Sequence, residues 1–301
     1  MNSGMHCGQR LLYKGIHALS RRMAARGTPG LRALARALGA VFWLVLPGRS
    51  ALATRTIMER LDLPESRARD IARQSFTHNA LSFLEITMSP EFSFTRPDLR
   101  VDRPDLLENL SHCDRPLVVT TAHLGAWEFC AGLAGDFKPH LPRMAVVRNH
   151  GNQAVRQYMF DMRSGRGSQV IGHRNAVFSA LKTLRRNGLV GFLADHNAGS
   201  DEAIFLPFLG RVAAVNVGPA VLAVRAQALV WPVVVIREGE NYALLQHDVL
   251  DTAELTGTMD EKIQTTAAFY TSALENWVRQ YPEQWFWMHK RWKTRPPDES
   301  V

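Results

Sequence analysis

Residues 116–128, PLVVTTAHLGAWE, pass from a strand through a turn into a helix. Leu117 to Thr120 are apolar or β-branched and read as a buried strand, and a helix is expected from about Ala126. His123, at the strand end, is placed to act as a base. Glu128, five residues on, is a carboxylate able to hold the second ring nitrogen and stabilise an imidazolium. On one straight helix, residues five apart are about 140° from sharing a face. The two therefore meet only if His123 stays in the turn, with Gly125 allowing the reversal. Taken alone, such a pair is more often a buried His at a helix start beside a surface Glu.

Downstream the pattern repeats. Strands are expected at 144–147, 169–171 and 189–194, separated by helices at 152–162 and 176–186. A loop, a helix near 218–227, strands at 230–237 and 242–247 and a helix over 260–281 follow. This alternation predicts an α/β fold with a mostly parallel central sheet flanked by helices. Asp195 and His196 follow the strand at 189–194, and in open α/β sheets ligands bind at the carboxyl ends of strands. Upstream, 65–88 reads as a helix and 89–104 as a connector.

The 301 residues are 46% hydrophobic, enough for a sizeable core. Lys and Arg outnumber Asp and Glu by 36 to 28, for a net charge of +8 that favours an anionic partner. No acidic residue precedes Glu59, whereas Arg10, Lys14, Arg21, Arg22 and further arginines do. The expected division is a basic, amphipathic helical segment at 1–70 and a catalytic domain at 71–301. Within the first, ALGAVFWLVL at 37–46 is shorter than the roughly 20 residues of a spanning helix and reads as interfacial or re-entrant. A secretory signal fits poorly, because the apolar part starts late and no small-residue cleavage site follows. Three cysteines without CxxC spacing exclude a disulfide framework.

Arg148, Arg163 and Arg166 flank the 152–162 helix, where a guanidinium can bind a phosphate or polarise a thioester carbonyl. Arginines at a helix end equally complement its dipole. Asp195-His196-Asn197 can be a turn signal. The motif is a poor zinc site, lacking HExxH, and no metal is expected. The tail PEQWFWMHKRWK, 282–293, interleaves aromatic and basic residues, a composition suited to single-stranded nucleic acid or to a membrane interface.

Together, HLGAWE at 123–128, Arg148 with Asn152 four residues on, Arg163, LADH at 193–196, FLPF at 205–208 and the tail PEQWFWMHKRWKTRP resemble the late acyltransferases of lipid A biosynthesis. These lauroyl and myristoyl transferases belong to the lysophospholipid acyltransferase superfamily. The resemblance spans roughly residues 70–297. It implies an α/β acyltransferase behind a membrane-associating N-terminal helix, on the cytoplasmic face of the bacterial inner membrane. It also implies an acyl carrier protein thioester, or acyl-CoA, as co-substrate with no other cofactor, a glycolipid hydroxyl as acceptor, and anionic membrane lipid as a further partner. By position, His123 is the base, Glu128 its orienting carboxylate and Arg163 the oxyanion-side arginine. Arg148, Asn152, Arg166, Asp195 and His196 bind substrate. Ala126 and Asn216 depart from residues common in the family. The competing expectations are transfer to another acceptor, such as a phosphatidylinositol mannoside or a lysophospholipid, and a non-catalytic basic nucleic-acid-binding protein. In the catalytic reading no nucleic acid is a partner.

Overall fold

The computed structural model describes residues 5–147, 151–164, 167–172 and 176–297. At its centre lies β2 (Leu117–Thr121), flanked by β5 (Leu189–Leu193) and by β8 (Leu229–Glu238), both parallel to it. Beyond β5 come β3 (Arg143–Val147) and β4 (Gln169–Gly172), again parallel. On the other flank, β9 (Asn241–Gln246) runs antiparallel to β8, with β1 (Leu99–Val101) parallel beside it, and β10 (Leu250–Asp251) pairs with the start of β8. The mostly parallel sheet expected from the alternating pattern is present.

Both faces of the central strands are covered, which explains their near-continuous apolar runs. Val118, Val190 and Val230 point to one side, into a core shared with α3 (Pro47–Leu61), α4 (Glu65–Glu85), α8 (Ala176–Leu184), α9 (Gly218–Ala226) and α10 (Met259–Gln280). Leu117, Leu189 and Trp231 point to the other, against α5 (Pro104–His112) and α6 (Phe129–Asp136). That division is the two-residue period of a strand made visible. The remaining helices are α1 (Cys7–Ala24), α2 (Gly27–Val45) and α7 (Gln153–Arg163).

Several elements depart from expectation. The segment after β5, expected to be a loop, contains a hairpin of β6 (Ala203–Phe208) and β7 (Arg211–Asn216). Its turn is Leu209-Gly210, both at positive φ, and a leucine there gives none of the usual Asn-Gly signal. The 89–104 connector hides β1, a three-residue edge strand too short to show periodicity. At the N-terminus, no single helix among the described residues is long and apolar enough to cross a membrane. α2 and α3 satisfy length and composition only together, and they meet at a 96° bend. Pro47 starts α3 there, where its missing N–H costs nothing. Val41, Phe42, Leu44, Val45 and Leu46 stand exposed at this elbow.

Candidate active site

β2 and β5 lie side by side in register, Thr121 opposite Leu193. Two residues further along each strand therefore brings His123 next to Asp195. The His123 Nδ1 lies 2.8 Å from Asp195 Oδ1, and the His123 backbone N–H donates to Oδ2 at 2.9 Å. Trp285 Nε1 donates to the same Oδ2 at 2.9 Å. Burial alone would raise the Asp195 pKa, but the charge and hydrogen bond of His123 hold it well below the usual carboxylate range. An ionised carboxylate only accepts, so the proton of a neutral His123 sits on Nδ1 and the Nε2 lone pair is the basic one.

The turn carrying His123 is clamped from three sides. Gly125 adopts φ 63°, and a Cβ there would fall 2.2 Å from the Val235 carbonyl oxygen, so neither the conformation nor the space admits a side chain. Ala126 N–H donates to that carbonyl, and Gly125 N–H to Gln284 O. Phe286 N–H donates to His123 O, and Ser82 Oγ to Gly125 O. The C-terminal tail is thus a brace of the site. Trp285 and Trp287 are fully buried, and Arg291 is buried with Nη1 on Ala214 O, so these groups offer no open stacking platform.

Glu128 is not the partner of His123. At the start of α6 its carboxylate takes a two-pronged bond from Arg163, Nε to Oε2 at 2.9 Å and Nη2 to Oε1 at 2.6 Å, and Trp127 Nε1 adds a 3.3 Å contact. The expectation paired His123 with the carboxylate nearer in sequence. Strand adjacency instead delivers one from 72 residues away. Burial opposes the Arg163 charge, yet the carboxylate of Glu128 more than compensates, so the Arg163 pKa is raised. This pair tops a narrow cavity of about 110 Å³ between α6 and the sheet, lined mostly by apolar groups including Val119, Ala134 and Val233. Trp127 lines the cavity and also lies edge-on to His123, ring centres 5.2 Å apart, so one indole separates the cavity from the imidazole.

Of the other expected site residues, His196 is stacked edge-on to His123 with ring centres 4.1 Å apart. Asn152 caps α7, its Oδ1 accepting from Ala154 and Val155 N–H. Arg148 and Arg166 lie outside the described residues. Trp285 was not anticipated, although a tryptophan in a polar tail offers an indole N–H that needs an acceptor when buried. His123, Asp195 and His196 bring ligand-type atoms within 4.8 Å of one another. Both Asp195 oxygens, however, are already committed to N–H donors, which fits a base-orienting carboxylate better than a metal ligand. Cys130 lines the cavity, but burial pushes its thiol up to about 11, leaving it a poor nucleophile.

The family model for bacterial lipid A biosynthesis acyltransferases matches residues 23–294. The chain belongs to that family. It is 26% identical over 283 residues to the lipid A biosynthesis palmitoleoyltransferase of Escherichia coli K12, covering 90% of this chain and 88% of the relative. To the lipid A biosynthesis lauroyltransferase of the same organism it is 24% identical over 244 residues, 78% and 76% of the two chains. A lipid A biosynthesis acyltransferase of Haemophilus influenzae is 23% identical over 301 residues, 96% and 92%. The match takes in the strand ends, the hairpin and the tail brace, so the acyltransferase is an enzyme whose pocket and imidazole lie within the family region.

Proposed function

We propose that the acyltransferase moves a fatty acyl chain from an acyl carrier protein thioester to a hydroxyl of a lipid A precursor, at the cytoplasmic face of the inner membrane. The observation that carries this is a histidine with its Nδ1 held by a buried carboxylate, one indole away from an apolar cavity. His123 Nε2 takes the proton of the acceptor hydroxyl as its oxygen attacks the thioester carbonyl. Asp195 stabilises the imidazolium. Arg163, fixed on Glu128 by Nε and Nη2, turns Nη1 to the developing oxyanion. Collapse breaks the C–S bond, an ester is left on the acceptor, and the departing thiolate takes the proton from His123. The hydrocarbon tail of the donor occupies the cavity throughout.

A groove lined by Phe42, Leu46, Phe83, Phe286 and Lys290 runs beside the site, and the Phe286 ring lies 6.1 Å from that of His123. It starts at the α2–α3 elbow, whose apolar tip is flanked by Arg49 and Arg55. Apolar groups ringed by cations suit the surface of an anionic bilayer. The elbow resting on lipid would bring an acceptor along this groove to His123. The net charge of +8 also suits an acidic carrier protein as donor.

The test is transfer from carrier-linked acyl chains to extracted membrane lipids by the wild type and by His123→Ala. The variant is expected to keep its circular dichroism and to lose transfer by about a thousandfold or more. Normal turnover by that variant would sink the mechanism.

A further inference from the structure

The sheet residues that line the cavity fall into rungs, because parallel strands in register place equivalent positions side by side. Thr121 and Leu193 form the rung nearest His123, and Leu189 and Arg143 the rung farthest from it. Between them lie Val119, Gly191, Ala145 and Trp231. From Leu189 to Leu193 the strand advances about 13 Å.

Gly191 stands out in that middle rung. It is the central residue of a strand paired on both sides, and it is not among the glycines at positive φ, so neither a bulge nor a turn requires it. An interior strand glycine weakens a sheet and commonly marks a place where another group passes close to the backbone. A Cβ at Gly191 would meet only the Met144 carbonyl oxygen, at 3.9 Å, so its side-chain position is open space. On α6 the cavity is lined by the small residues Cys130, Ala131 and Ala134, with Leu133 among them.

We infer that Gly191 determines the length of the acyl chain this enzyme transfers. With the carbonyl at His123, the tail enters past Thr121 and Leu193 and crosses the Gly191 rung to reach the space by Leu189. A side chain at 191 fills the passage and stops the tail short. This rests on the acyl-transfer reading above. Burying one methylene is worth about a fourfold change in affinity, so a tail denied several carbons of depth is strongly disfavoured.

The full chain, Gly191→Ala and Gly191→Val are assayed with thioester donors from octanoyl to palmitoyl. For Gly191→Val the expected result is a shift of the preferred donor to a shorter chain. Its ratio of long-chain to short-chain kcat/KM should fall by about tenfold or more. Gly191→Ala should lie between, and it decides the question alone if the valine variant does not fold. An unchanged chain-length profile in the variants overturns the inference, as does an equal loss at every length. Failure of the wild type with every thioester would instead remove the acyl-transfer reading and this inference with it. That outcome is distinct because it precedes any substitution.

Discussion

The same short stretch, 123–128, contributes to two charged pairs that are built differently. His123 meets Asp195 through one ring nitrogen, leaving Nε2 without a hydrogen-bond partner among the described residues. Glu128 meets Arg163 through two parallel bonds, and the two pairs are buried to a similar degree. The first suits a group that gains and loses a proton beside a fixed anion. The second suits charges that never change, where geometry is the product.

The largest effect should come from Asp195→Asn. The amide can donate to Nδ1 and impose the wrong tautomer, so turnover should fall by about 10³–10⁴ with circular dichroism unchanged. A variant with near-normal turnover breaks the distinction between the pairs. Glu128→Gln should act mainly on stability, because it leaves a buried guanidinium without its counter-charge, at about 3–5 kcal/mol in denaturant unfolding. Glu128→Leu combined with Arg163→Met should recover most of that stability and none of the transfer. Recovered transfer would show that the pair is scaffold alone.

The smallest effect concerns a third polar cluster, which sharpens what a merely structural group does. Arg237 is bound by Glu85 and Ser82 and lies 3.3 Å from His78 Nδ1. Burial, then Arg237 and Arg32, lowers the His78 pKa from 6.5 to about 3. As pH falls below 6.5 the unfolded chain protonates His78 before the folded one does, so stability is full above 6.5 and declines towards about 3. His78→Gln should flatten this, removing about 1–2 kcal/mol of the loss between neutral and about pH 5. Thermal unfolding at the two pH values, compared between wild type and variant, checks it.

The core of the fold was legible because buried parallel strands carry continuous apolar runs ended by polar residues. Leu117–Thr121 and Leu189–Leu193 are of this kind, and His123 and Asp195 follow directly from them. What spacing could not show was which strands are neighbours. β2 and β5 touch although β3 and β4 intervene in sequence, so the partner of His123 was sought five residues away rather than on the adjoining strand. The β6–β7 hairpin was hidden by Pro207 and by a turn without Asn-Gly. The tail was misleading for a different reason. Aromatic and basic composition is the same whether the indoles face lipid or, as at Trp285 and Trp287, the interior.

The brace formed by 284–286 has a consequence for how the enzyme comes into being. His123 and Asp195 are translated before the tail, yet one of the N–H groups on Asp195 comes from Trp285 and two of the bonds on the His123 turn come from Gln284 and Phe286. A nascent chain that has released every strand of the sheet still lacks these contacts. The complete set of contacts around His123 and Asp195 would then form only once residues 284–286 have been made, and a ribosome that stalls before residue 284 would leave the sheet without its brace.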